Sequence, residues 1–266
     1  MNKKIIRYIV SIVIIIVIIS IIGIVYSNST KTTEKDVYEK IGEEISYIDN
    51  KLIELLKALN NLDTEYMLVN NVTKNNENTT VNITTKESGS VFLRDREDVN
   101  WDYIQTEVEK IINSWAIATI DLKNINVGND IILEFNTNVD ACLSYLKVHD
   151  KANSLISMAN LYSLIPRYKS EYSDDVQEVE LAYIKSNVLS SYALLYTQQW
   201  DKIYALLADS DNRMNNLINS NDININNIQN VQKAYILLKE YIKSANNKDL
   251  DLCYMKFYYL IQELEV

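Results

Sequence analysis

The chain has 266 residues and a net charge of −10, yet only four glycines, one proline, two cysteines and one histidine. Those scarcities exclude a glycine-rich phosphate loop, a dinucleotide fingerprint, a zinc site with several histidines and a disulfide-stapled mini-fold, each of which needs residues this chain lacks. What the sequence does carry is information on placement and architecture.

The N-terminal segment speaks to placement. Lys3, Lys4 and Arg7 precede an apolar run from Tyr8 to Tyr26, interrupted only by Ser11, Ser20 and Gly23. A helix of about 18 residues at about 1.5 Å each spans about 27 Å, close to a bilayer's hydrocarbon thickness. The competing reading, a cleaved signal peptide, has a shorter apolar core and ends in small residues. Val25-Tyr26-Ser27 is a poor cleavage site, so length favours an uncleaved anchor, with cleavage after Ser27 as the open alternative. The cationic flank puts the N-terminus in the cytoplasm and the rest of the chain outside it. Residues 1–27 are therefore read as a cytoplasmic stub and transmembrane anchor, with membrane contact through residues 8–26.

Residues 1–27 hold three of the 26 basic residues and none of the 36 acidic ones, which leaves the exported part near −13. A surface of that sign repels nucleic acid and anionic headgroups, whose binding needs clustered Lys and Arg. The partner this reading predicts is an envelope protein or peptide, with no nucleic acid and no cofactor.

Downstream the periodicity is helical. Ile41, Ile45, Ile48, Leu52, Leu55, Leu59 and Leu62 alternate steps of four and three, a heptad-like stripe within residues 28–69. It suits either the first helix of a bundle or a stalk that forms a homodimer through residues 41–62. Residues 70–99 are polar and rich in asparagine and threonine and read as a loop or linker.

A helical bundle is predicted over residues 100–266. Asn100 and Asp102 mark a helix start ahead of Trp101, Ile104, Val108, Ile111 and Trp115 on one face. Lys123–Asn129 is the following turn, and Ile132, Phe135, Val139, Cys142 and Leu146 repeat the pattern. Leu155, Ile156, Ala159 and Tyr162 form the next helical stretch, which Pro166 should stop or kink. Another helix should begin at Asp174, and the last at about Lys248 with Asn247 as its cap. The whole is all-α: an N-terminal transmembrane anchor followed by an extracytoplasmic helical bundle.

Chemistry-bearing residues are sparse. His149 stands alone, so no triad can be argued from it. Cys142 and Cys253 both lie on apolar helical faces, where cysteine behaves as a small hydrophobe, although export would permit a disulfide. The carboxylate pairs Glu43-Glu44, Asp174-Asp175, Asp209/Asp211 and Asp249/Asp251 would serve a glycosidase only by converging in a cleft, and read as helix starts or solvated faces. Two features suggest a binding face. Arg167, Tyr168, Lys169 and Tyr172 cluster beside Pro166, and Ala182, Ser186, Ser190 and Ala193 form a row of small side chains. Such a row lets another helix approach closely or leaves a groove for a peptide. The function that follows is a non-enzymatic binding, accessory or assembly subunit of the envelope; the alternatives are an envelope hydrolase using paired carboxylates and a ligand-sensing ectodomain with a separate membrane partner.

Overall fold

The computed structural model describes residues 34–60, 99–220 and 228–264. The apolar run 8–26 and the polar stretch 70–98 lie outside them. Among the described residues all regular structure is α-helical, as the periodicity requires, and no helix is long and apolar enough to cross a membrane. The chain divides into two units, Met1–Lys40 and Ile41–Val266. Residues 34–40, the start of the first helix, are the described part of the former; everything below concerns the latter.

Nine helices are described: α1 (Glu34–Asn60), α2 (Trp101–Asn124), α3 (Asn129–Lys147), α4 (Lys151–Tyr162), α5 (Ile165–Tyr172), α6 (Val176–Leu195), α7 (Trp200–Asn219), α8 (Ile228–Asn246) and α9 (Leu250–Leu264). Helix α6 is the centre. It packs against α4, α5, α7 and α9, and more than half of its side chains, including Ala182, Ile184, Val188, Tyr192, Ala193 and Leu195, are buried, as expected of a helix in the interior of a protein. Because one helix touches four others, the arrangement is a bundle and not a solenoid, in which each unit meets only its neighbours.

The stripe on α1 is used inside this unit. Ile41, Ile45, Ile48, Leu52, Leu55 and Leu59 are all 0% exposed. Leu62, the last residue of the expected stripe, lies outside the described residues; a second copy meeting the chain over residues 41–60 would face the opposite side of the helix, where Tyr47 is exposed. Five tyrosines, Tyr162, Tyr168, Tyr192, Tyr241 and Tyr254, are among the largest fully buried side chains. Their hydroxyls need partners inside the core; Tyr192 meets the Tyr258 hydroxyl at 3.2 Å and Tyr241 meets Ser191 Oγ at 3.0 Å. Cys142 and Cys253 are buried free thiols, and burial pushes them up to about 11 and about 12 respectively.

Helix boundaries follow local chemistry. Asn100, Asp150 and Asp175 accept hydrogen bonds from the backbone N–H three residues on, capping α2, α4 and α6. Pro166 lies in the first turn of α5, where a missing N–H is harmless. It thus helps to start a short helix that the sequence pattern leaves unmarked. The last helix starts at Leu250, two residues later than its composition suggests, because Asp249 Oδ1 accepts from Leu252 N at 3.1 Å and takes the capping role from Asn247.

Four helix ends share one device. Asn126, His149, Gln198 and Lys248 have φ of 66°, 56°, 52° and 54°, and among the described residues no glycine has positive φ. At each, two backbone bonds close the helix: Val127 N to Leu122 O with Asn126 N to Lys123 O, Asp150 N to Tyr145 O with His149 N to Leu146 O, and the equivalents at Gln199 and Asp249. This is the Schellman pattern, whose left-handed residue is ordinarily glycine. Asp150, Gln199 and Asp249 then act at once as the N-caps of α4, α7 and α9. Placing a side chain in the left-handed region costs about 1–2 kcal/mol, partly offset by the larger chain entropy that glycine loses on folding. Gln198→Gly and Lys248→Gly should therefore each stabilise the protein by about 0.5–1 kcal/mol. In thermal melts followed by circular dichroism the midpoint should rise by roughly 1–4 °C; an unchanged or lower midpoint in both variants would contradict this account.

Candidate functional site

The row of small side chains on α6 opens onto a groove of about 480 Å³ between α4, α6 and α7. Helix α4 supplies Ile156, Ala159 and Asn160, α6 supplies Ser186, Asn187, Ser190, Ala193 and Leu194, and α7 supplies Lys202, Ala205 and Leu206. The groove exists because α4 and α7 both pack on α6 at a place where its side chains are short, leaving space that larger residues would fill. Asn187 Nδ2 donates to Asp209 Oδ2 at 2.8 Å, which ties one edge of the groove to α7. The volume lies within the range of ligand-binding clefts, and the lining has their mixture of apolar walls and a few polar groups.

A second, smaller cleft of about 170 Å³ involves Asp49, Lys169, Glu178, Ala182 and Lys185. Asp49 is 5% exposed and Lys185 6%. The Asp49 carboxylate accepts from the Tyr162 hydroxyl at 2.6 Å and from Lys185 Nζ at 3.0 Å, with Lys169 Nζ at 3.7 Å from its other oxygen. Lys169 also pairs with Glu178 at 3.2 Å. Two lysines thus balance two carboxylates, as burial of charge demands.

The residues singled out from the sequence separate in three directions. Tyr168 is buried; its hydroxyl donates to the Ile131 carbonyl at 2.9 Å and its ring lies against Trp115 and Phe135. Burial raises its phenol well above the ordinary range, and does the same for half-buried Tyr172. Arg167 pairs with Glu134 of α3 at 2.5 Å. Lys169 and Ala182 belong to the Asp49 cleft. Ser186, Ser190 and Ala193 line the larger groove. Successive residues of a helix point about 100° apart, so a cluster adjacent in sequence on the two turns of α5 is spread around its circumference.

Asp49 and Lys185 are legible only in retrospect. Lys185 is the single charge between Glu180 and Asp201, and Asp49 interrupts the apolar side of α1. The carboxylate pairs do not converge: Asp175 and Asp249 are N-caps, Asp209 pairs with Arg213 at 2.9 Å, and Asp211 pairs with Lys239 at 2.5 Å. His149 is exposed and stacks on Trp101 at 4.8 Å. Among the described residues, no three His, Cys, Asp or Glu side chains are grouped to hold a metal ion.

No protein-family model, curated protein or solved structure matches this chain.

Two predictions follow from the charges. Asp49→Ala leaves Lys185 buried without its closest carboxylate and should cost about 3–5 kcal/mol in urea unfolding, because an uncompensated buried charge is worse than none. The double variant Asp49→Leu/Lys185→Met should recover much of that loss; equal destabilisation by the single and double variants would mean that volume and not charge is at stake. The second concerns acid. Glu54 is held below the ordinary carboxylate range by the Tyr103 hydroxyl and Lys51, and Glu107 by Lys110 and Lys51. A carboxylate depressed in the folded state contributes stability above its unfolded pKa and loses it as pH falls through the folded value. The urea midpoint should accordingly fall below about pH 4.3, the unfolded glutamate value, and the Glu54→Gln variant should show a shallower fall.

Proposed function

We propose that the protein is a membrane-anchored binding protein of the cell envelope. In this reading residues 8–26 hold the helical bundle outside the cytoplasm, and the bundle engages a partner protein or peptide without turning over a substrate. The observation that carries the binding role is the groove between α4, α6 and α7, where short side chains keep an accessible, partly apolar surface next to the most buried helix of the fold. A rigid central element that presents a cleft is the usual basis for recognition without large rearrangement. Two features of the sequence support the placement: an apolar run of bilayer length and Lys3, Lys4 and Arg7 before it. The acidity of the remainder disfavours anionic partners such as nucleic acid.

The experiment has two arms. Protease added to intact protoplasts should remove the helical bundle and spare a short membrane fragment; protection until lysis would overturn the placement. In the same cells, p-benzoylphenylalanine at exposed Ala205 on the groove should give a discrete photo-adduct that Ser190→Trp, which fills the groove, abolishes. An adduct unaffected by Ser190→Trp, or none from Ala205, would remove the groove from the function.

A further inference from the structure

The hydroxyls on α6 point to what the groove takes. Buried Ser157, Ser191, Ser210 and Ser244 each donate to a carbonyl three or four residues back along their helix, the ordinary way in which a helical serine satisfies itself. Ser186 is 5% exposed, lines the groove, and among the described residues has no hydrogen-bond partner. Half-buried Ser190, one turn on, shares that property. Ser154 also lacks a partner, but it is sealed in the core at 0% exposure, whereas Ser186 and Ser190 open onto free space. Both hydroxyls reach the open groove, where water bonds them and a ligand offering backbone carbonyl or N–H groups can take the water's place. Lys202 is the one ionisable side chain lining the groove, and among the described residues it has no carboxylate within ion-pair reach.

We propose that this groove binds a short peptide in extended form, its backbone bonded by Ser186 and Ser190 and its free C-terminal carboxylate held by Lys202. The spacing fits. Residues four apart on a helix rise by about 6 Å, and alternate residues of an extended chain, whose backbone groups face the same way, are about 6.6–6.8 Å apart. A serine hydroxyl both donates and accepts, so it can bond a peptide carbonyl or N–H. Ile156, Leu194 and Leu206 offer apolar surface for the side chains that alternate toward the groove wall. The single cation selects a terminal carboxylate through a charge-assisted bond, on a protein whose net charge of −10 otherwise repels it.

This proposal rests on the groove being the binding site, and its test separates the two. The detergent-solubilised full-length protein is titrated with fluorescein-labelled Leu-Ala-Leu-Ala bearing a free C-terminal carboxylate, and with the same peptide as its C-terminal amide, by fluorescence anisotropy. The free acid should bind at least tenfold more tightly than the amide. Lys202→Gln should erase that difference, and Ser186→Ala/Ser190→Ala should weaken both peptides by roughly tenfold, the scale of one to two hydrogen bonds. The serine-to-alanine changes remove one atom each at sites that make no internal bond, and matching circular dichroism spectra and melting midpoints establish that the variants are folded. Equal binding of acid and amide would overturn the carboxylate role, and binding indifferent to the serine pair would overturn the backbone role. Failure of both peptides together with a Ser190-sensitive adduct from Ala205 would sink the extended-peptide reading and leave the groove as a site for a partner of another kind.

Discussion

Asp49 is the point at which four helices meet. From the middle of α1 its carboxylate takes the Tyr162 hydroxyl of α4 and the Lys185 ammonium of α6, and faces Lys169 of α5. An apolar stripe such as that of α1 would tolerate sliding by a turn, because one leucine fits much like another. A buried carboxylate does not, since moving it by one turn would strand both it and Lys185 in a dry interior. The network therefore acts as a register pin for α1 against the α4–α5–α6 core.

With α1 in register the geometry of α6 follows. Its interior position makes it the platform on which α4, α5, α7 and α9 are assembled, and its short side chains decide where the bundle is not filled. Toward Asp49, Ala182 leaves room for the paired charges; one and two turns later Ser186 and Ser190 leave the groove. Charge pinning and groove thus lie along one helix whose neighbours are fixed on several sides. The Ser186 and Ser190 hydroxyls, which line the groove, are thereby carried on a helix held in place by its neighbours.

The junctions show how composition shapes the fold beyond helix content. With four glycines in the chain, the left-handed positions at Asn126, His149, Gln198 and Lys248 fall to ordinary residues. The lone histidine, from which the sequence supports no triad, is one of these, exposed at a helix end and stacked on Trp101. Its position is explained by chain reversal. The buried tyrosines are likewise core residues whose hydroxyls find internal partners: Tyr241 meets Ser191, Tyr192 meets Tyr258, Tyr162 donates to Asp49 and Tyr168 to the Ile131 carbonyl.

What the sequence by itself determined is the local and periodic part. Steps of three and four put Ile41 to Leu59 and Ile104 to Trp115 on buried faces, and Asn100, where the sequence placed a helix start, caps α2 as side-chain chemistry requires. These properties depend on residues a turn apart, and a sequence displays such neighbours directly. Tertiary structure alone decided which face of the small-residue row would be covered and which left open, and which lysine would meet Asp49. It also scattered Arg167, Tyr168, Lys169 and Tyr172, adjacent in sequence, to three surroundings. Those outcomes depend on partners many residues distant, such as Tyr162 for Asp49 and Ile131 for Tyr168. Such partners meet only when the whole core closes, because their pairing energy belongs to the packed assembly and not to any segment of it.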